Sequence, residues 1–190
     1  FKMFWREQTP QLEIADHAGR KTTIDLIAGH YADSGALTPP PDSWAANADH
    51  HVNIWTVKIE AEGEWQLPAH CAGLNRMIYF YRGDQLEIGG KTLTAGHGVV
   101  AMSDKTLLFR NGKQESLLLI LEGKPIAEPV AQHGPFVMNS REELQATFLD
   151  YQRTQFGGWP WPDQDQVHGA EPVRFARHAD GREEFPDGVS

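Results

Sequence analysis

The stretch Met77–Leu121 constrains the fold more than any other part of the chain, because it combines a two-residue periodicity with glycine turns. Polar and apolar residues alternate on both sides of Gly89-Gly90. A Gly-Gly pair between alternating segments predicts a β-hairpin, since type I′ turns need positive φ. The same reasoning predicts a second hairpin between residues 107–110 and 115–121, turning around Asn111-Gly112. Several short strands with glycine-rich turns indicate an antiparallel sandwich or barrel.

Further strands are predicted ahead of this stretch. Residues 22–28 alternate and stop at Gly29, which is typical of a strand followed by a turn. Residues 51–60 carry apolar side chains on both faces and therefore predict an inner strand. Between them, the loop 30–49 is long enough to predict a functional segment, and we interpret it as a cover rather than a lid.

One helix is predicted near residue 140. Ser140 and Glu143 have the spacing of a capping box, and Asn139 is an alternative cap one residue earlier. Gly157-Gly158 predict the end of the helix. Three side chains at i, i+4 and i+7 form an apolar stripe that predicts packing on the barrel: Leu144, Phe148 and Tyr151.

Composition limits the class of protein. With 190 residues, 40% of them hydrophobic, the chain is long enough for one domain with a sizeable core. The net charge of -9 and the lack of clustered basic residues argue against a nucleic-acid surface. Cys71 is the only cysteine, so an internal disulfide is excluded, which fits a cytoplasmic protein. No apolar run is long enough for a membrane span. A start at Phe1 leads us to expect a fragment of a longer polypeptide.

Two motifs resemble a known family. The segments GKPIAEP (residues 123–129) and HGPFVMNSREEL (residues 133–144), followed by DYQ at 150–152 and Phe156-Gly157, resemble the C-terminal half of the pirin family. The resemblance implies an all-β fold: a cupin-type double-stranded β-helix, or jelly-roll barrel, with a short C-terminal helix and an extended tail.

The same resemblance implies the domain organisation. The barrel is expected to span residues 1–157 and to include the closing helix 140–156. Residues 158–190 are expected to form an extended arm packed on a surface, because they are rich in Pro, Asp and Gly and have little periodicity. Its expected anchors are Trp159, Trp161 and Phe175.

Pirin-like proteins are two-cupin proteins whose first barrel carries an Fe-type metal on three His and one Glu. Aligning that motif with this barrel places Ala69, Cys71, Phe109 and Asn111 at the four ligand positions. None is a His or a carboxylate, so no cofactor is expected in this chain, and Fe or another divalent metal is implied for a missing N-terminal cupin. His70, Cys71 and His97 form an incomplete alternative set. His50-His51 are expected to point to opposite faces and not to chelate together.

Three functions remain open. The leading prediction is a metal-free C-terminal cupin, a structural and interaction module that completes a two-cupin protein; its partner is its own N-terminal cupin or, alternatively, a second copy in a homo-oligomer. The second is part of a quercetin 2,3-dioxygenase-like metal-dependent oxidoreductase. The third is a small-molecule-binding barrel with these pocket candidates: Arg76, Tyr79, Tyr81 and Arg110.

Overall fold

The computed structural model describes residues 2–159 and 173–186, and these fall into two compact units. The first unit ends at Pro125 and the second begins at Ile126. This division lies within the predicted 1–157 domain, whose boundary at residue 157 stays a prediction. Each unit is described by itself below.

The first unit is built of strands. In chain order they are β1 (Gln11–Ala15), β2 (Lys21–Ala28), β3 (His30–Tyr31), β4 (Ser34–Gly35), β5 (Asn53–Ile59), β6 (Glu64–Leu67), β7 (Asn75–Arg82), β8 (Gln85–Ile88), β9 (Lys91–Thr94), β10 (His97–Val100), β11 (Leu107–Asn111) and β12 (Ser116–Gly123). A six-stranded sheet has the order β1-β2-β5-β12-β7-β10, and a four-stranded sheet has the order β6-β11-β8-β9. All the pairings are antiparallel. The predicted all-β fold is confirmed.

The core lies between these two sheets, because alternate residues of each strand face inward. Buried and partly buried positions alternate along the whole of β12. Full burial of one large aliphatic or aromatic side chain contributes about 1.5–3 kcal/mol, so this shared core is the main source of stability. The buried apolar cluster draws on both sheets: Ile24, Leu26, Trp55, Val57, Ile59, Trp65, Leu67, Ile78, Phe80, Leu86, Ile88, Phe109, Leu118 and Ile120.

The first predicted hairpin is confirmed. Strands β8 and β9 pair through Ile88 and Lys91 around Gly89-Gly90. Gly89 and Gly90 have φ values of 55° and 84°, which are the positive angles that a type I′ turn requires. Strand β5 also lies where an inner strand was predicted, between β2 and β12.

The second predicted hairpin is wrong. Strand β11 pairs with β6 and β8, whereas β12 pairs with β5 and β7, so the chain crosses from one sheet to the other at Asn111-Gly112. The Asn111 side chain stabilises this corner, since its amide nitrogen donates to the carbonyl oxygens of Ile59, Glu60 and Gln114. The Asn-Gly pair marks a turn here, but not a hairpin.

The second unit contains the hairpin β13 (Ala131–His133) and β14 (Phe136–Met138), the helix α1 (Arg141–Thr154), and the hairpin β15 (Ala176–Arg177) and β16 (Glu183–Glu184). Ser140 is the N-cap of α1 and forms the predicted capping box with Glu143, so the alternative cap at Asn139 is excluded. The stripe side chains Phe148 and Tyr151 both contact the ring of Phe136 on β14. In the described part of the chain, no helix has the length and apolar character needed to span a membrane.

The predicted arm falls partly outside the described residues. Trp161 lies outside them, whereas Trp159 is exposed. The ring of Phe175 lies 6.1 Å from that of Phe185, centroid to centroid. Residues 176–177 and 183–184 pair as the two strands of a small hairpin, and the packing of the arm on a surface stays a prediction.

Candidate functional site

A cavity of about 470 Å³ opens in the first unit, and we call it the mouth cavity. Ligand pockets in proteins are typically about 300–1,000 Å³, so it is large enough for a small molecule. The loop 30–49, predicted to be a cover, contributes a large part of its wall. The lining consists of residues 29–32, 36–39, 45–48, 51–53, Trp55, 67–70, Arg76 and Glu122.

Three neighbouring strands place a polar row at this cavity. In the register of the six-stranded sheet, Glu122 on β12 lies opposite Asn53 on β5 and opposite Arg76 on β7. All three residues are buried. The alternation of side chains along the strands explains why these residues are buried. Arg76, for example, lies on the same inward face of β7 as Ile78 and Phe80.

The carboxylate of Glu122 is fully enclosed and accepts hydrogen bonds from three side chains. The Asn53 amide nitrogen donates to Oε1 over 3.0 Å, and Arg76 Nε donates to Oε2 over 2.5 Å. His70 Nδ1 lies 2.6 Å from Oε1. The Arg76 guanidinium also lies 3.3 Å from the Lys105 carbonyl oxygen. A buried charge costs several kcal/mol unless it is paired and hydrogen-bonded, and this network meets both conditions.

The contact with Glu122 determines the tautomer of His70. A carboxylate is only an acceptor, so Nδ1 of His70 carries the hydrogen and donates it. In the neutral imidazole, Nε2 then has a free lone pair. His70 comes from the loop between β6 and β7, and its side chain is about one-third exposed, at 37%. Its Nε2 is therefore available as a ligand atom at the edge of the cavity.

The two adjacent histidines have separate surroundings, but neither lies on a strand, because β5 begins at Asn53. The ring of His50 stacks on Trp44, with centroids 3.4 Å apart, and its Nδ1 lies 2.7 Å from the Trp44 carbonyl oxygen. His51 instead meets the ring of His70 edge-on, at 4.9 Å between centroids. It has a left-handed backbone, with φ of 50°. His51, and not His50, therefore lies beside His70.

Within residues 2–159 and 173–186, one group of three potential metal ligands lies close together: His51, His70 and Cys71. Their ligand atoms all lie within 4.8 Å of one another. Cys71 is exposed. His97, the third member of the set proposed from the sequence, is exposed, and its Nδ1 lies 2.8 Å from the Thr94 carbonyl oxygen. It does not belong to this cluster, and His51 does.

The four positions aligned with the cupin metal ligands do not converge on a metal centre. Ala69 lines the mouth cavity, but Phe109 is fully buried in the core against Trp65. The Asn111 amide nitrogen is occupied by three backbone carbonyls. A phenyl ring has no donor atom, and Asn111 serves the corner between the sheets, so an iron centre at these positions has no ligand set.

Of the four pocket candidates predicted from the sequence, the structure places Arg76 in the cavity lining and the other three elsewhere. Tyr79 and Tyr81 are 40% and 52% exposed, because they have the outward phase of β7. Arg110 donates to Glu64 over 3.0 Å and to Glu87 over 2.9 Å, and these hydrogen bonds raise its pKa. An aromatic wall of the cavity comes instead from Tyr31, whose pKa is raised by burial.

Asn53 and Glu122 were not among the site residues predicted from the sequence. A signal for Glu122 is present, because it continues the inward alternation of Leu118 and Ile120 at the end of an aliphatic run. A charged residue at an inward position predicts a buried ion pair, and Arg76 has the matching phase on β7. Asn53 has no comparable signal, since its role depends on the register of β5 with β12.

Two solved structures share the fold. Both are described as quercetin 2,3-dioxygenase from Acinetobacter baumannii. The first has a TM-score of 0.63 at 23% identity and covers 80% of this chain and 49% of that chain. The second has a TM-score of 0.59 at 16% identity and covers 96% of this chain and 52% of that chain. At these identities, the similarity confirms the cupin-type fold alone.

Proteins related in sequence identify the family as well as the fold. A Vibrio cholerae protein named "Putative quercetin 2,3-dioxygenase" is 34% identical over 130 residues, covering 68% of this chain and 40% of the relative. A Pseudomonas aeruginosa protein of the same name is 31% identical over 151 residues, covering 76% of this chain and 48% of the relative. The chain thus spans less than half the length of these two relatives. Residues 54–157, more than half of the chain, match the family described as the Pirin C-terminal cupin domain. The chain therefore belongs to the pirin family, and it contains that family's C-terminal cupin domain.

Proposed function

We propose that this chain is the C-terminal half of a two-cupin pirin-type protein and acts as a structural and interaction module without a cupin iron centre. Its partner in this proposal is an N-terminal cupin that carries Fe or another divalent metal. The observation that carries the proposal is that two of the four positions aligned with the cupin ligands serve the fold instead, with Phe109 buried in the core and Asn111 bonded to backbone carbonyls at the corner between the sheets. The buried pair of Arg76 and Glu122 at the mouth cavity supports it. The chain length relative to the family members supports the two-cupin part of the proposal.

The ion pair argues against iron at this place for an electrostatic reason. Both oxygens of Glu122 already accept hydrogen bonds, one of them from a guanidinium. A divalent cation that used this carboxylate would have to displace Arg76 and leave a positive side chain buried next to the metal. Leaving a buried charge unpaired costs about 3–5 kcal/mol, which works against such a centre.

A second candidate is a quercetin 2,3-dioxygenase-like activity, which is favoured by the names of the Vibrio and Pseudomonas relatives. A metal needed for oxidative ring cleavage has to offer an open coordination position and bind the substrate. The four positions aligned with the iron ligands lack the side chains to hold such a metal.

A third candidate is small-molecule binding, which is favoured by the volume of the mouth cavity and by the rings of Tyr31 and Trp55 in its lining.

The decisive experiment measures quercetin consumption at saturating O₂ by the purified chain, supplied in turn with Fe, Ni, Mn or Cu. We expect no turnover above that of the metal alone, because the four aligned positions present no ligand set. The matched control is the same assay with the variant His97→Ala, whose ring lies outside the cavity lining. Metal-dependent turnover that is lost in His70→Ala and kept in His97→Ala would show that this domain is itself the catalyst.

A further inference from the structure

We propose that His51, His70 and Cys71 form a binding site for a borderline-soft divalent cation, Zn²⁺ in particular, at the edge of the mouth cavity. The ligands come from two segments that are distant in sequence: the turn before β5 supplies His51, and the loop between β6 and β7 supplies the other two. Their ligand atoms lie within 4.8 Å of one another. This site differs from the aligned cupin positions in ligand type, place and expected metal.

The spacing is compatible with tetrahedral coordination. Zinc binds imidazole nitrogen at about 2.0–2.1 Å and thiolate sulfur at about 2.3 Å, which puts the two nitrogens and one sulfur of a tetrahedral site roughly 3.3–3.6 Å apart. Ligand atoms that lie within 4.8 Å of one another therefore need to approach by at most about 1.5 Å. Rotation of the exposed Cys71 side chain brings its sulfur closer while the His70 ring keeps its hydrogen bond to Glu122.

An independent observation points to a metal ligand at His70. Histidines that bind metals almost always donate their other ring N–H to a carboxylate, a carbonyl or water, which fixes the tautomer and the ring orientation. His70 has this arrangement already, with Nδ1 2.6 Å from Glu122 Oε1. Glu122 is in turn held by Asn53 and Arg76, so the imidazole is oriented by a rigid, buried group. Nε2 is left to bind the cation.

The donor set narrows the metal to the borderline-soft transition ions, of which Zn²⁺ is the one proposed. One thiolate and two neutral imidazoles favour Zn²⁺ over Mg²⁺, Ca²⁺ or Mn²⁺, which prefer oxygen ligands. One thiolate gives the ligands a total charge of -1, so the site with its dication has a net charge of +1. The opposite charges of Glu122 and Arg76 nearby cancel each other. Three protein ligands leave a fourth position open, as in zinc sites that bind water or a substrate. His51 and His70 both line the mouth cavity, so a ligand reaches that position from the cavity.

The test is a titration of the metal-stripped, reduced 190-residue chain with Co²⁺, followed by displacement with Zn²⁺. Co²⁺ replaces Zn²⁺ in such sites and gives a thiolate-to-cobalt charge-transfer absorption that reports the Cys–metal bond. We expect one Co²⁺ per chain, this absorption, and its loss when Zn²⁺ is added. Cys71→Ser should abolish the absorption. His51→Asn, chosen because Asn tolerates positive φ, should weaken binding.

The size of the effect separates this site from incidental binding. Changing an outer hydrogen-bonding partner of a metal ligand costs roughly 10–100-fold in affinity, so losing one of three ligands should cost at least as much. His97→Ala is the matched control and should bind like the wild type. Circular dichroism of each variant before titration excludes misfolding. Binding that is not stoichiometric, or that is unchanged in Cys71→Ser, would overturn the proposal. The readout involves no oxygenase activity, so this result and the quercetin assay fail independently.

Discussion

The substitution Glu122→Gln tests the buried network directly. The Glu122 side chain is fully buried, and that of Arg76 is 1% exposed, so neither charge is compensated by water. Glutamine keeps the shape of glutamate but has one acceptor oxygen, and it presents an NH₂ group to a site built of donors. The variant therefore leaves the Arg76 guanidinium buried without a counterion.

The expected cost is large for a domain of this size. Breaking a buried pair by removing one partner costs about 3–5 kcal/mol, against a typical total stability of about 5–15 kcal/mol. With a urea m-value near 2 kcal/mol/M, the unfolding midpoint should fall by roughly 1.5–2.5 M. The double variant Arg76→Met/Glu122→Gln removes both charges, so it should lose much less than the sum of the two single changes.

The assay is urea unfolding of wild type, both single variants and the double variant, evaluated as a double-mutant cycle. The control is Glu115→Gln, which breaks the pair with Lys58 at 3.8 Å, where the side chains are 50% and 47% exposed. Exposed pairs contribute about 0–1 kcal/mol, so this midpoint should hardly move. Additive single effects, or a Glu122→Gln midpoint no lower than that of Glu115→Gln, would refute the reasoning.

Ser140→Ala should lower the free energy of unfolding by about 0.5–2 kcal/mol, because the Ser140 hydroxyl accepts the Glu143 N–H over 3.1 Å; an unchanged denaturation midpoint would contradict this. The pKa of Asp84 lies below the usual value for an aspartate, because the N–H groups of Gln85 and Lys113 donate to its carboxylate. A depressed carboxyl pKa stabilises the fold fully above the unfolded-state pKa, and this stabilisation is lost as the pH falls through the folded-state pKa. The stability difference between wild type and Asp84→Asn should therefore shrink on acidification, and an NMR titration that gives Asp84 the pKa of an ordinary exposed aspartate would contradict the assignment.

The turn and helix-cap features of this fold could be predicted from the sequence, because they depend on residues that are close together in the chain. Gly89-Gly90 formed the predicted hairpin because positive φ is available to glycine at little cost. Ser140 and Glu143 formed the predicted capping box because both partners lie within one helical turn. Apolar residues on both faces also predicted β5 as an inner strand, and it lies between β2 and β12, although only one of its faces is fully buried.

Tertiary structure alone decided the rest. Asn111-Gly112 has the local signature of a hairpin, but the strands on its two sides found partners in different sheets. The site depends on the same non-local pairing, since Asn53, Arg76 and Glu122 meet only through the register of three strands. His51 and His70 are neighbours because two loops meet at the mouth cavity. Periodicity determines which face of a strand is buried, whereas long-range pairing determines which side chains share that buried space.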